Sequence, residues 1–241
     1  MSGHSKWAQI KRQKGVADQK RGQAFTKLSN AVTLAVKQGG GIGDPGQNFR
    51  LRLAIDAARS LNMPKENIER AIQKALGGKE QGVEEVIYEG FAPGGASVIV
   101  EAVTDNPMRT TSEVKSVFNK AGASFGQPGS VSYQFKQVGL ITVEKGDKSF
   151  DDIFALGLDA GADDIEDSES AVDIYTTSSN LYKVKEELSK KGLNVLQTEL
   201  TRKPLVNVSL DSEEKKDKIL NFLASLENLE DVQKVYTNIN F

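Results

Sequence analysis

Residues 140–200 read LITVEKGDKSFDDIFALGLDAGADDIEDSESAVDIYTTSSNLYKVKEELSKKGLNVLQTEL. Leu140–Val143 predicts a strand, and Ser149 caps a helix running through Ile153, Phe154 and Leu156. Strands follow at Asp164–Glu166 and Ala171–Thr176, then a helix through Leu181, Val184 and Leu188 that Gly192 stops. Val195–Leu200 gives a further strand. The order βαββαβ is the ferredoxin-like one, and the run has enough residues for a compact unit.

Upstream, Val83–Phe91 and Ala96–Thr104 predict two strands joined by a Pro93-Gly94-Gly95 turn. Asn106-Pro107 caps a helix through Val114, Val117 and Phe118 that ends at Gly122. The Gly-rich stretch Phe125-Gly126-Gln127-Pro128-Gly129 then leads into an alternating strand, Val131–Phe135. Downstream, Pro204 introduces a strand at Leu205–Leu210, and Asp211 with Glu214 forms a capping-box-like start. The last helix passes through Ile219, Leu220, Leu223 and Leu226, and Val232–Ile239 closes the chain as a strand. Residues 80–136 lack a second helix to cover their sheet, and a sheet must bury its apolar face. The tail is therefore expected to return to this sheet, leaving 137–203 as an insertion.

Residues 1–79 read as helical. Phe25, Leu28, Val32, Leu34, Ala35 and Val36 approximate one helical stripe, stopped by Gly39-Gly40-Gly41. Asn48 is placed to cap a second helix through Phe49, Leu51, Leu53 and Ile55, and Pro64 opens a third through Ile68, Ala71, Ile72 and Ala75. The fold class is thus multidomain α+β, with an N-terminal helical bundle followed by two α+β, ferredoxin-like domains, one inserted in the other. The expected boundaries are 1–79, 80–136 plus 204–241, and 137–203.

The formal net charge of −2 conceals an asymmetry. Residues 1–79 carry 15 Lys and Arg against five acids, and the remainder holds the other 16 bases against 28 acids. Phosphates should meet the first part and be repelled by the rest. The cations Lys6, Lys11, Arg12, Lys14, Lys20, Arg21 and Lys27 cluster with a single acid, Asp18, and interleave with Trp7 and Phe25. Such a pattern is a footprint of a phosphate-backbone binder. Arg50 and Arg52 extend the set. Trp7 has two readings, stacking on an unpaired base or packing against the first helix.

Other chemistries fail on inventory. The chain has no Cys and one His, His4, which leaves no thiol nucleophile, Cys-ligated zinc, His-based triad or multi-His metal site. Neither G-x-S-x-G nor the P-loop pattern occurs. Gly41–Gly46 matches G-x-G-x-x-G but follows a helix, with Pro45 where the next helix should open, so it reads as a linker. The acidic run Asp163–Glu169 fits a solvent-facing strand edge better than a calcium loop. No catalytic residue, cofactor, metal or small-molecule substrate is expected. No signal-peptide pattern and no run of 18 apolar residues is present, so the expected address is cytoplasmic, away from the membrane.

Several stretches together resemble the YebC/PmpR family of probable transcriptional regulators, which includes mitochondrial translational activators of cytochrome oxidase synthesis. They are Gly3-His4-Ser5-Lys6-Trp7, Lys20-Arg21-Gly22, Phe25-Thr26-Lys27-Leu28, Leu51–Ile55 and Asn62–Ile72. Tyr88-Glu89-Gly90, Pro93-Gly94-Gly95, Thr104-Asp105-Asn106, Arg109-Thr110 and Gly129-Ser130-Val131 continue the set. The chain departs from the family pattern in a longer Gly39–Gly46 loop, in Phe49 where proline is common, and in Pro107-Met108, which replaces a more polar pair. The resemblance implies three domains, no catalytic residues, and action either on DNA in transcription or on ribosomal RNA, with the ribosome as a candidate partner, in translation. A protein-interaction scaffold is the alternative of a different class.

Overall fold

The computed structural model describes residues 18–77, 82–168, 170–210 and 212–240, with side chains from Gly22 onward in the first segment. Contacts divide it into two compact units.

The first holds residues 133–209 and 238–240. Its elements are β4 (Phe135–Glu144), α5 (Phe150–Ala160), β5 (Asp164–Asp167), β6 (Ala171–Thr176), α6 (Leu181–Lys190) and β7 (Val195–Pro204). The strands form one sheet in the order β5-β6-β4-β7, every neighbour antiparallel. This is the βαββαβ arrangement expected from residues 140–200. α5 starts in a capping box: Ser149 Oγ accepts from the Asp152 N–H at 3.2 Å, and Asp152 Oδ2 accepts from the Ser149 N–H at 3.3 Å. Ile141, Val143, Ile153, Val172, Ile174, Leu181, Val184 and Leu188 fill the core between sheet and helices. The helices lie close. A Cβ on Gly139 would stand 2.8 Å from Leu181 Cδ1, so a side chain there would force α6 off the sheet. A short parallel pair, β8 (Val208–Ser209) with β10 (Ile239–Asn240), completes the unit.

The second unit holds residues 18–132 and 210–237. Its helices α1 (Asp18–Gln38), α2 (Phe49–Ser60) and α3 (Lys65–Leu76) pack with α1 against both others, around Val32, Val36, Leu51, Ile55, Ala58, Met63, Ile68 and Ala71. One polar side chain organises the bundle. Buried Asn48 caps α2 by accepting from the Leu51 N–H at 3.1 Å. Its amide nitrogen donates to Ala35 O at 3.0 Å and Ile42 O at 2.9 Å, holding the end of α1 and the loop that follows. Gly39 is required beside it, because a Cβ would overlap the Asn48 side chain. Asn62 takes the left-handed φ of 56° that ends α2, a conformation asparagine tolerates better than most residues.

The same unit contains β1 (Glu84–Phe91), β2 (Ser97–Thr104), α4 (Pro107–Ala121), β3 (Ser124–Phe125), α7 (Glu213–Glu227) and β9 (Val232–Thr237). The sheet runs β3-β1-β2-β9, again antiparallel throughout. α4 and α7 meet through Phe118 and Phe222, whose rings stand edge to face with centroids 5.0 Å apart. α1 contacts β2 and β9.

Three local expectations are corrected. Val131–Phe135 is not a strand: Ser132–Gln134 form a 3-10 turn and β4 begins at Phe135, because the Val131 and Ser132 amides donate to the Glu89 carboxylate instead of to a neighbouring strand. The cap of α7 is Ser212, whose Oγ accepts from the Lys215 N–H at 3.4 Å; Asp211 lies outside the described residues. The closing strand is two, β9 and β10, interrupted at Asn238, whose carbonyl accepts from the Val208 N–H at 2.7 Å. Correspondingly, the strand expected over Leu205–Leu210 shortens to Val208–Ser209.

Asn48→Ala should lower stability by about 2 kcal/mol, combining a lost cap with the lost amide bonds to Ile42 O and to Ala35 O, the latter keeping the Gly39 N–H. Urea denaturation should show a lower midpoint with an unchanged slope.

Candidate nucleic-acid interface

Among the sequence-derived cations, Lys6, Lys11, Arg12 and Lys14, together with Trp7, lie outside the described residues. Lys20 and Arg21 fall in the first turn of α1, with side chains outside the description. Lys27 turns inward: its Nζ donates to the Glu227 carbonyl at 2.5 Å, joining α1 to the end of α7. Arg52 clamps the preceding loop, Nε on Pro45 O and Nη2 on Gly46 O, both at 2.9 Å. Arg50 is exposed and donates to Gln38 Oε1 at 2.9 Å.

Three further cations stand on the surface of α2 and α3. Arg59, Arg70 and Lys74 are exposed and form no ion pair among the described residues. Glu66, four residues before Arg70, does not engage it, and Glu69 takes Lys65 instead at 3.3 Å. Arg70 and Lys74 share one exposed face of α3, opposite buried Ile68 and Ala71. Cations without carboxylate partners are free to exchange their counterions for phosphates.

Two buried carboxylates in the middle sheet do the opposite and face wholly inward. Glu89 on β1 accepts the N–H groups of Gly129 at 2.8 Å, Val131 at 2.7 Å and Ser132 at 2.8 Å. Burial pushes its pKa up, but these three backbone donors outweigh that and hold it below the ordinary glutamate value. The loop 126–132 is thereby fixed to β1. Asp231 at the start of β9 accepts from Thr110 Oγ1 at 2.6 Å, Arg109 Nη2 at 2.8 Å and Thr104 Oγ1 at 3.0 Å. Burial raises this carboxyl too, and the donors with the Arg109 charge pull it below the usual aspartate range. Arg109 also reaches Asp105 at 3.1 Å.

The start of α4 is therefore closed to phosphate. Asn106 Oδ1 caps the Arg109 N–H at 3.1 Å, Pro107 offers no N–H, and the guanidinium of Arg109 is committed to Asp231. The acidic run is likewise structural. β5 is an edge strand, Asp164 and Glu166 both pair with Lys203, and Asp167 pairs with Lys145 at 2.6 Å. Among the described residues no group of three or more Asp, Glu, His or Cys side chains is arranged to hold a metal ion. The Gly41–Gly46 loop joins α1 to α2, without the preceding strand a dinucleotide site needs. No helix among the described residues is long and apolar enough to cross a membrane.

Two family profiles cover nearly the whole chain: the TACO1/YebC N-terminal domain matches residues 5–78, and the TACO1/YebC second and third domain matches residues 83–239. The chain belongs to the TACO1/YebC family. Relatives named probable transcriptional regulatory protein include those of Roseiflexus castenholzii, 46% identical over 99% of this chain and 95% of the relative, and Persephonella marina, 47% identical over 99% and 95%. The crystal structure of a conserved hypothetical protein from Aquifex aeolicus matches with a TM-score of 0.88 and 44% identity, covering 98% of this chain and 96% of that one.

Within this TACO1/YebC chain, the motif residues of the middle sheet now have physical roles. Gly90 gives room to the Phe118 ring and the Ser124 carbonyl, Glu89 ties down Gly129 to Ser132, and Thr104, Arg109 and Thr110 neutralise Asp231. Sequence reading quoted Glu89 only as part of the Tyr88-Glu89-Gly90 motif and assigned no role to it or to Asp231, because in an acidic half a carboxylate reads as solvated. The available signal was the position of Glu89 after the apolar stretch Val86-Ile87-Tyr88 and immediately before Gly90.

Both carboxylates have folded values below the unfolded ones, so the unfolded state binds more protons and stability falls as pH drops below about 4. Asp231→Asn should cost about 3 kcal/mol at neutral pH and flatten that acid limb. Denaturant midpoints measured from pH 7 down to pH 2 would check both effects, and an unchanged acid limb in the variant would refute the assignment.

Proposed function

We propose that this chain is a non-enzymatic, nucleic-acid-binding regulator of gene expression, acting on DNA as a transcriptional regulator. The observation that carries the reading is the separation of charge: 15 bases against five acids in the first 79 residues, and an acidic remainder. The contact is assigned to Lys6, Trp7, Lys11, Arg12, Lys14, Lys20 and Arg21, and to Arg50, Arg59, Arg70 and Lys74. Lys27 and Arg52 support the bundle through backbone carbonyls and contribute field more than direct contact. The names of the relatives favour the transcriptional form.

One observation favours a second reading, a ribosome-associated translation factor on ribosomal RNA. A recognition helix meets base edges with its N-terminal residues. α3, which follows α2 after a short turn, carries Glu66 and Glu69 there, and Glu66 has no cation partner among the described residues. Those acids oppose major-groove entry, whereas backbone contact to folded RNA needs no such helix.

Replacing Lys11, Arg12 and Lys14 by Glu should abolish nucleic-acid binding while leaving the melting temperature nearly unchanged. For the wild type, five phosphate contacts give a slope of about −4.5 in log K against log salt. Crosslinking in cells followed by sequencing assigns the target: promoter DNA for the first reading, ribosomal RNA for the second. Recovery of neither leaves a protein-interaction scaffold.

A further inference from the structure

α5 is apolar on more sides than its own sheet can cover. Its sequence, Phe150-Asp151-Asp152-Ile153-Phe154-Ala155-Leu156-Gly157-Leu158-Asp159-Ala160, contains no base, and its only polar residues are three aspartates. The buried positions are Ile153, Gly157 and Ala160, on the side that meets the sheet. Gly157 brings the helix close, since a Cβ there would stand 2.6 Å from Ile165 Cδ1 on β5. A helix packed this way needs one apolar stripe, and α5 carries a second.

Phe150, Phe154 and Leu158 are spaced four apart, which sets them one above the next on a single face. The first two touch, with ring centroids 5.7 Å apart. Phe150 is half-buried, whereas Phe154 keeps 38% and Leu158 51% of its surface in water, and Ala155 beside them is exposed. Contiguous exposed apolar side chains, unlike scattered ones, mark an interaction surface.

The charges bordering the stripe select its occupant. Asp151 stands three residues before Phe154, and Asp159 four after Ala155, so both neighbour the exposed face. Asp151 is exposed and forms no ion pair among the described residues. Asp159 has Lys191 at 3.2 Å, but its side chain stays 73% exposed, and a pair of that kind exchanges partners at little cost. Asp152 is committed to the capping box: the Ser149 hydroxyl and amide, and then Lys148, hold it below the usual aspartate value. Among the described residues no carboxylates are grouped to hold a metal ion. Acids at this border repel nucleic acid and anionic lipid, and would repel each other if two copies met through the same face. A ligand that is apolar and basic at once satisfies both the stripe and its border.

We propose that this face of α5 docks a basic amphipathic helix of a partner protein, its apolar residues laid along Phe154 and Leu158 and its Lys or Arg side chains against Asp151 and Asp159. Helices recognised by an apolar surface present anchors at spacings of three and four, which is the spacing offered here. The site stands whether or not the N-terminal residues bind nucleic acid.

The test uses the full chain and a labelled peptide about four helical turns long, with Leu at i, i+3, i+4 and i+7 and Lys elsewhere, in fluorescence anisotropy titrations. A peptide of the same composition in scrambled order, and one with Glu in place of Lys, serve as comparisons. The wild type should bind the ordered Leu/Lys peptide saturably and more tightly than either of the others. Leu158→Ser should weaken that binding by about 5- to 30-fold, the loss of one apolar anchor. Half of this side chain is already in water, so the melting temperature should stay nearly unchanged. Lys191→Ala, which frees Asp159, should strengthen binding by about 2- to 5-fold, a gain that a merely structural role for the helix would not produce. Scrambled peptide bound as tightly as the ordered one would overturn the inference, because charge alone would then explain the contact. So would binding that Leu158→Ser leaves unaltered, tighter binding of the Glu peptide, or no binding to the wild type. A dimer in sedimentation velocity that Leu158→Ser dissociates would make the occupant a second copy of the chain and overturn it as well.

Discussion

Asp231 is a carboxylate buried almost completely, and the middle of the molecule is arranged around satisfying it. An unpaired charge in that position is costly, so donors must come from the protein. They come from β2, through Thr104, and from the first turn of α4, through Arg109 and Thr110. Asp231 itself lies immediately before β9. One side chain therefore fixes the end of one strand, the start of a helix and the start of the last strand of the sheet. Glu89 does the same for the loop before β4, exchanging a strand that the local sequence favours for a turn held by three amides to one carboxylate.

This explains which parts of the fold were legible in the sequence. Helix starts were, because a cap is a local matter: Asn48, Asn106 and Ser149 each accept from an N–H three residues on. The βαββαβ order was legible from alternation and helical period. The failures share a cause. Val131–Phe135 alternates as a strand should, but its amides are claimed by a carboxylate more than forty positions earlier in the chain. Val232–Ile239 is continuous in apolar pattern, but Asn238 diverts its carbonyl to Val208 and divides it. Local pattern does not reveal which distant group will take an amide.

The basic surface shows the same division. That the first 79 residues are cationic is a count. Which cations serve a ligand depends on what each reaches in three dimensions: Lys27 and Arg52 look no different in sequence from Arg59 or Lys74, yet the first two hold backbone carbonyls and the last two face solvent with no ion pair among the described residues. The acids divide likewise. Asp164 and Glu166 lie in a run that reads as solvated, and they hold Lys203; Glu89 and Asp231 are buried and hold backbone amides, hydroxyls and a guanidinium.

The pairing of β2 with β9 joins Val98 to Thr237, 139 positions apart in the chain. During synthesis, β2 is made early and has β1 on one side, while its other edge has no partner until the last residues leave the ribosome. The βαββαβ run between them contains its own four-stranded sheet and helices, and the last of those four strands ends at Pro204. Order of assembly follows from order of translation: the insertion folds first, and the middle sheet closes last. For that interval the chain carries an open apolar strand edge, the kind of surface that captures other nascent chains. Closure is slow by the measure of sequence distance, so truncation within the last strand would leave a protein whose insertion is intact and whose middle sheet is permanently adhesive.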